Sequence, residues 1–171
     1  MRVLLNLVVA FSFFFLVISQ STDSSATNDT VLDPKWSYCF EFTWFGPQYE
    51  KGNMYNGTCA DYLDSSRATN VPCSAPVVIS EDGTPPDIDW MFENKRPNVL
   101  CRRTENQVCA TYTYKYAGVV NNATYMCTKV QEVGSGAITS GCYTQSVEGY
   151  DIDLCVCKSD YGLSLPCNGK F

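Results

Sequence analysis

The chain has 171 residues, 12 Lys and Arg against 18 Asp and Glu, ten cysteines and no histidine. A net charge of −6 argues against nucleic acid or an anionic membrane surface as partner. Without an imidazole, Ser-His-Asp and Cys-His catalysis are excluded, as is the His-Asp pair of small disulfide-rich phospholipases.

The first residues, MRVLLNLVVAFSFFFLVISQ, put one Arg2 before an apolar run from Val3 to Ile18. That is the layout of a secretory signal peptide over 1–20, cleaved near Ser19 or Gln20. A transmembrane anchor is the alternative, but the run only just approaches the roughly 18 to 20 residues a span needs and lacks a basic stop-transfer flank. Without Arg2, 11 basic side chains face 18 acidic ones, a net charge of −7. In an oxidising lumen ten cysteines read as five disulfides. A zinc site at Cys155-Val-Cys157 is disfavoured by its short spacing and the missing histidine, and no cofactor is implied. Three Asn-x-Ser/Thr acceptors, at Asn28, Asn56 and Asn122, suit the same secretory route.

Residues 21–35 read as a disordered polar leader, and one domain, 36–171, follows. Tyr38, Phe40, Phe42 and Trp44 alternate with Cys39, Glu41, Thr43 and Phe45 at the period of a strand. Cys59 and Cys73 bracket a polar stretch; bonded to each other they contribute about 3 kcal/mol through the unfolded chain. From Ser74 to Pro97 turn signals are dense and strand signal is confined to Val77–Ile79, so an elaborated loop is expected. CATYTYKYAGVVNNATYMCTK is the clearest hairpin, with Ala110, Tyr112, Tyr114 and Tyr116 on one face and its turn at Gly118 and Asn121-Asn122. VGSGAITSG reads as a loop before Cys142, and a last strand runs from Ile152 to Val156. No long amphipathic helix is predicted. The class is all-β with long loops, in which cross-links substitute for buried area.

The chain closes on LCVCKSDYGLSLPCNGKF, a Cys155-x-Cys157 pair and then Cys167-Asn168. This ending, with the count of ten cysteines, resembles the Ly-6/uPAR three-finger family over Trp36 to Asn168. An enlarged first loop makes it most similar to the nematode Ly-6-related proteins associated with olfactory neurons. The resemblance implies a small disulfide-rich three-finger domain with the pairs Cys39–Cys109, Cys59–Cys73, Cys101–Cys127, Cys142–Cys155 and Cys157–Cys167. It also implies that Asn168 hydrogen-bonds backbone groups in the knot at the base of the fingers. Two departures stand out: Cys39 lacks the early Cys-x-x-Cys of many members, and the Cys157–Cys167 loop is long. The ending NGKF shows no hydrophobic tail for a GPI anchor, so a released protein is expected.

For function, the resemblance implies a secreted or cell-surface, non-enzymatic binding protein that modulates a receptor, an ion channel or another neuronal surface protein. Nicotinic receptors and potassium channels are the family's frequent partners in the nervous system. A toxin-like or defensive secreted protein is the alternative. Enzymatic work would fall to the close carboxylate pairs Asp87/Asp89 and Asp151/Asp153, which more often mark a solvated strand or turn edge. The stripes Tyr38/Phe40/Phe42/Trp44 and Tyr112/Tyr114/Tyr116 are either a ligand face or cross-strand pairs filling a thin sheet. Arg102-Arg103 is either an anion site or a solvated edge. A glycan at Asn122, on the second finger's tip, would keep that finger from a tight pocket. Partner contact is therefore expected from the loop between Cys73 and Cys101, with Ile88, Trp90, Met91 and Phe92 as exposed apolar anchors.

Overall fold

The computed structural model describes residues 31–46, 59, 71–80, 82–134, 136–147 and 149–170. These build a disulfide-rich, mostly β domain. Its strands are β1 (Tyr38–Phe40), β2 (Phe42–Phe45), β3 (Val77–Ile79), β4 (Leu100–Arg102), β5 (Val108–Tyr116), β6 (Val119–Thr128), β7 (Val130–Glu132), β8 (Gly136–Ile138), β9 (Gly141–Val147) and β10 (Tyr150–Cys157). Two short helices, α1 (Ile88–Asn94) and α2 (Arg96–Val99), lie between β3 and β4, and a 3-10 turn spans Cys167–Gly169. Six strands form one sheet in the order β3-β2-β6-β5-β10-β9, while β1 pairs with β4 and β7 with β8. No helix among the described residues is long and apolar enough to cross a membrane.

The sequence 38–45 does not form one half-buried strand. It breaks at Glu41 into β1 and β2, which enter different sheets. Both faces are covered: Phe40, Phe42 and Thr43 are fully buried and Trp44 nearly so. One face packs Phe40, Phe42, Trp44 and Ala123 against Met91, Phe92 and Val99 of the helices. The aromatic rings meet edge to face, Phe40 and Phe42 at 6.0 Å, and Phe42 stacks on Tyr125 at 4.4 Å. On the other face Phe45 packs with Val71, Cys73 and Val77. There Thr43 Oγ1 accepts from Ser74 N at 2.8 Å, and Thr124 Oγ1 donates to the Pro72 carbonyl at 2.7 Å. The first aromatic stripe is core.

The disulfides are Cys39–Cys109, Cys59–Cys73, Cys101–Cys127, Cys142–Cys155 and Cys157–Cys167, the pairs that the resemblance implies. Asn168, fully buried beside the last of them, links three segments that are distant in sequence. Its Oδ1 accepts from Phe40 N at 2.9 Å, and its Nδ2 donates to the Phe40 and Ala110 carbonyls at 3.1 and 3.3 Å. Its own carbonyl accepts from Thr111 Oγ1 at 3.3 Å. The amide side chain thus bonds both backbone groups of Phe40 in β1 and adds a bond to the Ala110 carbonyl of β5, a strand already paired on both sides. Gly169 follows because space is short: a Cβ there would lie 2.6 Å from the Phe40 ring and 2.9 Å from Ile88.

Several expectations need correction. The hairpin β5–β6 turns at Ala117-Gly118, whose φ angles of 50° and 77° fit a two-residue turn needing left-handed conformations. Asn121 and Asn122 therefore lie in β6, Asn121 as the extra residue of a register shift opposite Tyr114/Lys115. The segment 74–97 is not only loop and strand: it contains α1 and the start of α2. Within 133–141, Gly136–Ile138 is β8, paired with β7. Order also begins before Trp36, since Asp33 N and its carbonyl both bond the Tyr38 hydroxyl. The proposed signal segment, Asn28 and Asn56 lie outside the described residues.

Candidate partner-binding surface

Helix α1 forms for local reasons. Pro85-Pro86 leads into Asp87, whose carboxylate caps the helix by accepting from Trp90 N at 2.9 Å. Asp89 in the first turn suits the positive end of the helix dipole. Ile88, Met91 and Phe92 recur at i, i+3 and i+4 and so share one face. Met91 and Phe92 are buried, and half-buried Ile88 packs on the same core and against Gly169. Three of the four expected anchors are therefore directed inward, because a helical period turns them together toward the sheet. Trp90 alone, 51% exposed, stays outside.

Trp90 stands beside a cleft of about 520 Å³ between α1 and the edge strand β3. Pro76, Val78 and Pro86 line it with Met91, and Lys95 sits at its rim with Nζ 6.0 Å from the Trp90 ring. Ile79, 46% exposed, flanks the cleft on the strand side. The walls are tied to the core: Trp44 Nε1 donates to Ser80 Oγ at 2.9 Å, and Ser80 Oγ donates to the Thr84 carbonyl. Asp82 holds the same turn by accepting from Thr84 N and Oγ1 at 3.0 and 2.8 Å, which keeps its carboxyl below the usual aspartate range.

The other candidate residues have structural occupations. Asn122 is 4% exposed in β6, between Phe45 of β2 and Tyr114 of β5, so it is not an exposed acceptor in a turn. Tyr112, Tyr114 and Tyr116 do share a face, where Tyr114 stacks on Tyr150 at 4.8 Å and Tyr116 lies at 4.8 Å from the same ring. Asp151 accepts from Ser146 Oγ at 2.6 Å. Asp153 pairs with Lys115 and accepts from Thr144 Oγ1 at 2.7 Å; the hydrogen bond from Lys115 leads in holding its carboxyl below the usual range. Arg102 stacks on Trp36 with Cζ 3.3 Å from the ring centroid, and Arg103 donates to Ser37 Oγ at 2.9 Å and to the Gln107 carbonyl. The sulfurs of Cys39, Cys101 and Cys127 lie close together but are engaged in disulfides, so they offer no thiolate to a metal.

Comparison of the chain with protein-family models, with curated proteins and with solved structures finds no match. Function must therefore be argued from the residues themselves. Reading the segment 74–97 as a loop missed the cleft. The signal for it was the Asp cap followed by apolar residues at i, i+3 and i+4.

Proposed function

We propose that the protein is a secreted, non-enzymatic binding module of the Ly-6/uPAR three-finger type, acting on a receptor, channel or other surface protein outside the cell. The observation that carries this reading is the Asn168 knot. It joins β1, β5 and the C-terminal turn beside the Cys39–Cys109 and Cys157–Cys167 bridges. Two hairpins of one sheet, β5–β6 and β9–β10, start beside this base and are read as two of the fingers. The non-enzymatic part is supported by the carboxylates: Asp87 is a helix cap, and Asp151 and Asp153 are engaged by Ser146, Thr144 and Lys115. Contact with the partner is assigned to the cleft beside Trp90, where a large exposed aromatic adjoins an apolar wall, the composition of an interface anchor.

The test is quantitative binding of the purified, oxidised protein to intact neuronal cells. Trp90→Ala should weaken binding by at least about tenfold, the loss typical of an interface anchor. Unchanged binding by folded Trp90→Ala, with loss on Val119→Asp at the β5–β6 tip, would move the site to the second finger.

A further inference from the structure

The edge of the six-stranded sheet away from the cleft is β9. All seven of its residues, Gly141–Val147, are exposed, and they keep register with β10 without a bulge. Two residues separate Val147 from its partner Tyr150, so this pair closes the hairpin by exchanging both main-chain hydrogen bonds. Alternation then turns the backbone groups of Val147, Gln145 and Tyr143 toward β10 and those of Ser146, Thr144 and Cys142 outward. Among the described residues no strand pairs with these outward groups. Chains usually blunt such an edge with a charge, a proline, a bulge or a covering element. The sequence Gly-Cys-Tyr-Thr-Gln-Ser-Val has no charge and no proline, its register has no bulge, and its exposure excludes a cover.

We infer that two copies of the chain join through β9, antiparallel about a two-fold axis at Thr144, so that two six-stranded sheets become one. This goes beyond the binding-module reading and does not depend on the partner. A two-fold contact uses the same surface on both copies. With Thr144 opposite Thr144 of the second copy, Cys142 meets Ser146 and Ser146 meets Cys142, so every outward group of the three residues gains a bond. Two further observations favour a copy over a foreign segment. At a net charge of −6 like molecules repel, yet β9 carries no charge. The carboxylates of Asp151 and Asp153 lie one strand back, engaged by Ser146, Thr144 and Lys115. Foreign strands are selected by pockets beneath their side chains, and the clefts lined by described residues take none from β9. On the opposite face Tyr143, 46% exposed, comes to lie against Gln145 of the second copy, and Val147, 40% exposed, against Gly141. Because β3 is the far edge of each sheet, the dimer carries its two Trp90 clefts at opposite ends and can engage two partner molecules at once.

Sedimentation equilibrium of the purified, oxidised protein is the test. No cysteine is free, so association reads non-covalent contact. One ribbon pair buries less than the roughly 800 Å² per partner of a standard interface, so the mass should rise from monomer to dimer between about 10 μM and 1 mM. Thr144→Pro removes an outward N–H, and Thr144→Lys sets like charges face to face; each should raise Kd by at least about tenfold. Thr144→Val loses only the bond to Asp153 and should change Kd by less than about threefold. Near-ultraviolet circular dichroism checks that each variant is folded. Residue 144 faces its own copy in this arrangement, so mixing Thr144→Lys with Thr144→Asp should restore a dimer that neither forms alone. A monomer at every concentration overturns the inference. A dimer that survives both Thr144→Pro and Thr144→Lys is built elsewhere, at β3 if Ile79→Pro dissociates it, and overturns it as well. Failure of the mixed variants to associate overturns the two-fold axis at Thr144.

Discussion

β2 is buried on both faces, whereas β9 is exposed along all seven of its residues. Both belong to one sheet. At β2 the helices cover one face and the segment 71–74 the other. Toward β9 neither cover extends, and what holds the strands together is local: the Cys142–Cys155 bridge between register neighbours, the stacked Tyr114 and Tyr150, and the Lys115–Asp153 pair. Burial stabilises in proportion to apolar area removed from water. Solvent-exposed pairs contribute little singly. The inner half of the sheet should therefore act as one cooperative unit, and the outer half should tolerate loss of its contacts one by one.

The largest expected effect is removal of the Cys39–Cys109 bridge by a double alanine substitution. It spans 70 residues and both sulfurs are fully buried, so the loss combines a long closed loop with a core cavity. A cost of about 4 to 5 kcal/mol is expected. The same substitution at Cys142 and Cys155, 13 residues apart, should cost about 3 kcal/mol at most. Denaturant unfolding of both variants measures this. Equal costs would mean that the outer half is as tightly coupled as the core.

Next in size is Asn168→Ala. It strands the Phe40 N–H and carbonyl in the interior and removes a third bond, to the Ala110 carbonyl, and unmade buried bonds of this kind cost about 3 kcal/mol together. Lys115→Met at the outer end should cost less than about 1 kcal/mol. Comparable losses would remove the distinction between the halves.

How far the sequence discloses this division depends on the residue type carrying it. The β5–β6 hairpin was legible because alternating Tyr and Thr give period two directly. Its turn was misplaced because Asn121-Asn122 is a strong turn signal, yet Ala117-Gly118 took the left-handed conformations and drew both asparagines into β6. The knot was legible only through resemblance, since nothing in Cys-Asn by itself tells which carbonyls lie across from it. The anchors failed for a tertiary reason. Helix α1 is a short element within turn-rich surroundings, and only its packing against Phe40 and Trp44 decides that Met91 and Phe92 go in while Trp90 remains out.

The smallest effect separates the halves by pH. Glu41 lies at the break between β1 and β2, half-buried, and loss of hydration pushes its carboxyl above the ordinary value of 4.5. Its folded form holds the proton more tightly than the unfolded form. Stability from this group is thus present below 4.5 and falls as pH rises through the higher folded value. Asp153 has the opposite sign: Lys115 and Thr144 lower its value below 3.8, so its contribution is present above 3.8 and is lost as pH falls through the folded value. Glu41→Gln should therefore raise the melting temperature at pH 7 and leave it nearly unchanged at pH 4. Asp153→Asn should lower it slightly at pH 7, with the difference shrinking below pH 3. Thermal melts of both variants across this range decide the matter. A Glu41→Gln variant that is less stable than the parent at pH 7 would show that the carboxylate has a partner in the fold, and that the break between β1 and β2 is held by charge as well as by burial.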